Sequence, residues 1–322
     1  MSNSKKLPFL LIIISLFLLV ALNIGVFVKK KHENKIVAPK DVVREKYLQT
    51  LINKYDPEAD WNPVIEASMS NQPEIAGKSG IIVDPISGVI LFGLNSNQKM
   101  PIASLVKIMT AVVALEHRNL EDEIVVSDNA SSVGENSMGL TSGEVYPLEE
   151  LLYGMMLNSG NDSATAIAEG VAGDVPTFVK WMNIKAEDLG LKDTYFADPD
   201  GLNDSSYSTA VDLAKLTRYA VKNPEFKEIV KTVEHEILST EKHKYIPLYN
   251  QTNLLTTYPG VLGVKTGYTE EAGLCLVTYA QNDGKELIGV VLDSIDRKGD
   301  MIRMLDHGFG SLGVKIVHHL LE

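Results

Sequence analysis

Ser104-Leu105-Val106-Lys107, Ser159-Gly160-Asn161 and Lys265-Thr266-Gly267 follow one another along the chain. A serine hydroxyl is a poor nucleophile until a neighbouring base takes its proton. No Ser/His/Asp arrangement is evident here, but a serine and a lysine three residues apart on a helix share a face, so the lysine amine reaches the hydroxyl. The expected chemistry is attack by Ser104 with Lys107 as base.

Each motif alone is weak. S-x-x-K recurs at Ser2–Lys5, Ser96–Lys99 and Ser239–Lys242; Ser127-Asp128-Asn129 is a second S-x-N, and Lys78-Ser79-Gly80 mimics the third motif. Context selects the set. Ser104 opens a run of buried-helix character, Ser104 to Glu116, with Pro101 just upstream. The other serines lie in a tail, a polar stretch or a charged run.

The elements around these motifs assign further roles. The N–H of Ser104 lies in a first helical turn and is free to donate to an oxyanion. A second donor is expected from Tyr268 on a strand edge, where Gly267 admits the substrate closely. Thr266 is placed to hydrogen-bond a substrate carboxylate and Lys265 to supply positive charge. Ser159 can relay a proton to the leaving amine and Asn161 can hold the Lys107 amine. The competing reading of Asn161, Asp162 and Ser163 is a helix cap.

The chain has 322 residues, 45% hydrophobic and 22% charged, with a formal charge of -12. That charge, with no basic stripe, argues against nucleic acid as a partner. Cys275 is the one cysteine, so no intrachain disulfide forms, and its apolar surroundings make it a buried, inert thiol. Residues 7–28 carry no charge. As a helix they would span roughly 33 Å, enough for a bilayer core. An uncleaved N-terminal membrane anchor is expected, with a stalk over 29–70 and a catalytic domain over 71–322. The flanking lysines slightly favour the opposite orientation, whereas the enzymatic reading needs that domain on the outer face of the cell membrane.

Ser79–Asp84 and Gly88–Gly93 read as strands joined by a turn at Pro85–Gly88. Residues 120–145 read as irregular. Helices are expected over Val42–Lys54, Pro147–Leu157, Ser163–Gly170, Val175–Leu189, Thr209–Val221, Pro224–Val230 and Gly299–Gly308. Strands are expected over Gly260–Thr266, Gly273–Ala280 and Glu286–Leu292, with Asn282-Asp283-Gly284 as a hairpin signal. Strands at both ends with helices between them give an α/β fold carrying a mostly helical subdomain.

Over roughly residues 75–310 the sequence resembles the penicillin-binding D-alanyl-D-alanine carboxypeptidases, the low-molecular-weight serine DD-peptidases. The resemblance extends beyond the motifs to Ala103–Ala111, Leu151–Gly154, Asn158–Ala164, Phe196–Leu202, Ser208–Ala214 and Gly263–Thr269. It implies a DD-peptidase/β-lactamase-like fold, an antiparallel sheet flanked by helices, and no metal or organic cofactor. It implies that a peptidoglycan stem peptide ending in D-Ala-D-Ala acylates Ser104 and loses its last D-alanine, and that β-lactams inhibit covalently. Lys107 would need a depressed pKa, from burial and from nearby Lys265. An arginine beyond the last strands would hold the terminal carboxylate; Arg297 fits best, with Arg303 the competitor.

A DD-endopeptidase or transpeptidase is the nearest alternative. A serine β-lactamase is less favoured, because Asp198-Pro199-Asp200-Gly201-Leu202-Asn203 only loosely matches the acidic loop of those enzymes. A non-catalytic cell-wall-binding module is disfavoured by the intact Ser104, Lys107 and Lys265.

Overall fold

The computed structural model describes residues 39–52, 61–65 and 72–321. The expected membrane anchor at residues 7–28 lies outside them; among the described residues no helix is long and apolar enough to cross a membrane. The chain divides into a unit of residues 1–46, described only over the first part of the helix Pro39–Thr50, and a unit of Tyr47–Glu322.

The second unit is built on a six-stranded sheet. Its order is Val64–Ile65, Val89–Leu94, Ser79–Val83, Lys285–Ser294, Gly273–Asn282, Val261–Thr269. Neighbours are antiparallel except the outermost pair, where Val64 and Ile65 run parallel to Val89 and Ile90. Ser79–Val83 is buried along its whole length, as its run of β-branched residues requires of a central strand. The hairpin expected at Asn282–Gly284 forms with Asp283 and Gly284 both left-handed (φ 46° and 70°), matching the right-handed twist of its strands. The C-terminal helix Arg297–Ser311 buries Ile302, Leu305 and Phe309 in the core that contains Ile82, Leu287 and Val291.

Between the two groups of strands lies the helical part. Helix Lys107–His117 is buried at every position, so it is apolar all round rather than striped. Its far end carries Glu116, whose carboxylate takes a 2.6 Å ion pair from Lys185 and a hydrogen bond from the Tyr219 hydroxyl. His117 next to it accepts or donates at 2.8 Å with Thr50 and stacks on Trp181. Packing therefore begins ahead of residue 71: Tyr47 is fully buried, the Ile52 N–H donates to the Glu116 carbonyl, and Val64–Ile65 joins the sheet.

The expected elements agree with observed ones within a few residues, and the structure adds several short ones. Residues 120–145 contain a short strand, Glu123–Val125, and a helical turn, Asp128–Ser132. Glu234–Ile237 and Ile246–Tyr249 form a hairpin that sequence patterning does not reveal. Each of its strands buries only one or two apolar side chains, Ile237 on one and Ile246 and Leu248 on the other. The remaining buried contact comes from His235, stacked on Tyr153 and paired with Glu150 at 2.6 Å.

Candidate active site

Ala103 takes a left-handed backbone (φ 46°) and starts a 3₁₀ turn, Ala103–Val106, that runs directly into helix Lys107–His117. Ser104 therefore sits in a tight turn rather than in the first α-helical turn. The three-residue spacing still aligns the pair, because i and i+3 eclipse in a 3₁₀ helix. Lys107 Nζ lies 3.0 Å from Ser104 Oγ.

Two further acceptors fix that amine. Asn161 Oδ1 receives it at 2.7 Å, and the backbone carbonyl of Asp200 receives it from the opposite segment. A neutral amine has two hydrogens and one lone pair. With both hydrogens taken by these fixed acceptors, the lone pair is left facing the Ser104 hydroxyl, as a base requires.

Lys107 is fully buried, and that burial lowers its pKa to about 8 against the opposing pull of Asp200, Asp198, Asp162 and Glu135. The charges weighing most on Lys107 are carboxylates that oppose the effect of its burial, whereas Lys265 lies beside Lys107 and Arg297, two like charges. Lys265, also buried, is consequently held well below the ordinary lysine range, by burial first and then by those two cations.

Ser159 sits at φ 60° between the helices Leu148–Leu157 and Asn161–Ala172. Its hydroxyl is buried and makes no hydrogen bond among the described residues, so it is free to take a ligand as partner. The capping alternative does not hold for Asn161: its side chain bonds Lys107 and donates to the Gly134 carbonyl at 3.1 Å. Asp162 instead ties down the neighbouring loop, accepting from the backbone N–H groups of Met138, Gly139 and Leu140 at 2.9 Å.

Lys265, Thr266, Gly267 and Tyr268 lie on the edge strand Val261–Thr269, which packs against the 3₁₀ turn. At Gly267 a β-carbon would stand 3.0 Å from the Ile102 carbonyl and 3.3 Å from the Ser104 nitrogen, so the strand approaches the nucleophile because that residue has no side chain. Thr266 is buried and Tyr268 is 60% exposed at the rim. Arg297 donates to the Gly267 carbonyl at 2.8 Å and shares a cavity of about 30 Å³ with Thr266, Gln251 and Lys298. Arg303 is engaged elsewhere, 3.4 Å from Asp300 on its own helix. Of the nine residues singled out from the sequence, Ser104, Lys107 and Asn161 are joined by hydrogen bonds, Gly267 lies against the Ser104 turn with Lys265, Thr266 and Tyr268 on its strand, and Arg297 bonds Gly267, whereas Ser159 contacts none of the others through a hydrogen bond.

The sequence marks Asp198–Asn203 as part of the resemblance but assigns it no role at the site. Thr110 Oγ1 donates to the Pro199 carbonyl at 2.6 Å, Lys107 bonds the Asp200 carbonyl, and Gly201 (φ 84°) packs on Ala103. The Asp-Pro-Asp-Gly pattern marks a turn, but nothing local says what it touches. A β-carbon at Gly201 would lie 2.2 Å from the Ala103 carbonyl oxygen, a backbone atom that cannot yield. Gly201→Ala is therefore expected to destabilise the protein by about 2 kcal/mol or more and to slow acylation of Ser104. Thermal unfolding and labelling rates check this; a variant matching the parent in both refutes it.

The chain is similar to proteins already known. The family model described as D-alanyl-D-alanine carboxypeptidase matches residues 66–296. The D-alanyl-D-alanine carboxypeptidase DacF of Bacillus subtilis is 36% identical over 241 residues, 72% of this chain and 62% of that protein, so the chain spans under two thirds of that relative. The crystal structure of the Streptomyces K15 DD-transpeptidase superposes with a TM-score of 0.71 at 33% identity, covering 74% of this chain and 99% of that one. The D-alanyl-D-alanine carboxypeptidase from Mycobacterium tuberculosis H37Rv gives 0.72 at 32% identity, with 77% and 96% covered. The sheet flanked by helices is the DD-peptidase fold, and the chain belongs to the D-alanyl-D-alanine carboxypeptidase family.

Proposed function

We propose that this protein is a serine D-Ala-D-Ala carboxypeptidase that removes the terminal D-alanine from peptidoglycan stem peptides. The observation that carries this reading is the buried Lys107 amine, 3.0 Å from Ser104 Oγ and lowered to about pKa 8. In acylation the Ser104 oxygen bonds the carbonyl carbon of the penultimate D-alanine and its proton passes to Lys107 Nζ. The oxyanion is met by the Ser104 N–H and the edge strand at Tyr268. The peptide C–N bond then breaks, and the proton reaches the departing D-alanine nitrogen by way of Ser159. Thr266, Lys265 and Arg297 hold the terminal carboxylate. Water cleaves the acyl-enzyme and restores Ser104. β-Lactams, which mimic the same terminus, stop at the acyl stage.

Residues 7–28 serve in this reading as a membrane anchor and the segment from residue 29 to the start of the packed unit at Tyr47 as the stalk, with that unit on the outer face where peptidoglycan lies. The support is an uncharged segment of bilayer length. Transpeptidation is the second reading, favoured by the solved Streptomyces relative named for that activity.

A soluble fragment starting near residue 40 is expected to bind fluorescent penicillin covalently and to release D-alanine from a D-Ala-D-Ala peptide. Ser104→Ala abolishes both. Labelling without release, together with product formation on an added amine acceptor, would replace the carboxypeptidase reading by the transpeptidase one. No labelling of the folded parent would sink both.

A further inference from the structure

The acidic turn Asp198–Asn203 is not used by the mechanism above, yet it grips the nucleophile segment at three points. Pro199 O accepts from Thr110, Asp200 O accepts from Lys107, and Gly201 lies against Ala103. What holds the turn in that shape is Asp198. One of its carboxyl oxygens accepts from the Gly201 N–H at 2.8 Å and the other from the Asn203 N–H at 2.6 Å. Asp200 closes the turn a second time, accepting from the Leu202 N–H at 2.9 Å, and faces Thr165 on the adjacent helix at 3.5 Å. The two carboxyls lie close enough for the charge of Asp200 to act on Asp198.

We propose that Asp198 is a positioning residue for Lys107: its carboxyl fixes the turn whose Asp200 carbonyl takes one hydrogen of the lysine amine and so aims the lone pair at Ser104. This rests on the Ser104–Lys107 acyl chemistry proposed above. Burial, and then the charge of Asp200, push the Asp198 carboxyl up to about 7. Protonated, its hydroxyl oxygen and its carbonyl oxygen each still offer a lone pair to the turn. Besides this pair, the charged groups acting on Lys107 are Asp162 on helix Asn161–Ala172 and Glu135 on the loop after Asp128–Ser132, and Lys265 on the edge strand lies beside it. Once ionised, Asp198 adds a negative charge facing the amine, which favours the ammonium over the free base.

The test measures the acylation rate constant of a penicillin and its prior dissociation constant across pH 5–10, with thermal unfolding of each variant. Asp198→Ala is expected to slow acylation roughly 10- to 100-fold, the scale of a misplaced catalytic group, with initial binding little changed. Asp198→Asn removes the charge and keeps one acceptor: its amide oxygen accepts from one of the two turn N–H groups, while its NH₂ cannot accept from the other. It is expected to recover part of the rate lost in Asp198→Ala, and its rate should rise with pH at a lower midpoint than the parent's. An Asp198→Ala protein as fast as the parent, equal impairment of both variants, or an unmoved midpoint in Asp198→Asn each overturns the proposal. Should Asp198→Ala fail to fold, the asparagine variant decides it on the midpoint alone. A folded parent that takes no label overturns the Ser104–Lys107 reading and this one together, whereas a labelled parent with unresponsive variants overturns this one alone.

Discussion

Lys107→Met is expected to fold and to acylate Ser104 about 10³-fold more slowly than the parent, the scale of a lost general base. The parent's rate should rise with pH through about 8, where the buried amine passes from ammonium to free base. Below that midpoint the ammonium has no lone pair for the Ser104 proton; above it the base is fully available. The variant has no titrating group at that position, so its residual rate should lack this limb. Methionine fills the volume of the lysine stem and removes a buried cation, which limits the structural cost, although Asn161 Oδ1 and Asp200 O lose their donor. Stopped-flow labelling over pH 5–10 reads both effects. A variant keeping a tenth of the parental rate, or the same pH limb, would show that another group takes the proton.

The largest effect on stability is expected at the other end of the same helix. Glu116→Leu should cost about 3–5 kcal/mol, the scale for a buried pair deprived of one partner. The side chains of Lys185 and Glu116 are only 8% and 3% exposed, so the Lys185 ammonium would be left without its counter-charge and with the Tyr219 hydroxyl as its neighbour. Adding Lys185→Met should recover much of the loss, because the cost lies in the orphaned charge rather than in the absence of an ion pair. Urea unfolding of the parent, the single variant and the double variant measures this. A single variant within about 1 kcal/mol of the parent would mean that water reaches Lys185 and that the pair carries little.

Much of the fold is legible locally because its signals are local. Ile81–Val83 is a run of β-branched residues, Asn282-Asp283-Gly284 is a turn that needs left-handed residues, and the interior of Lys107–His117 is largely apolar. The hairpin Glu234–Ile237 with Ile246–Tyr249 gave no such signal. Its strands are short, and much of its burial comes from a histidine stacked on Tyr153, a residue more than eighty positions away. The start of the packed unit was hidden for a similar reason: Tyr47 and Thr50 reach partners near Glu116 and His117, far along the chain.

The catalytic set followed from side-chain chemistry. A serine with a lysine three residues on, a second serine with an asparagine, and a lysine-threonine-glycine strand restrict the possible reactions before any distance is known. The sequence already places Asn161 on the Lys107 amine and prefers Arg297 to Arg303; what it leaves open is the second acceptor of that amine and the charges beside Lys265. These depend on groups brought together by folding: the Asp200 carbonyl on Lys107, and Lys107 and Arg297 beside Lys265. Residue type and spacing decide what a side chain can do. Burial and the neighbours supplied by distant segments decide its protonation state and its aim, and those exist only once the chain has folded.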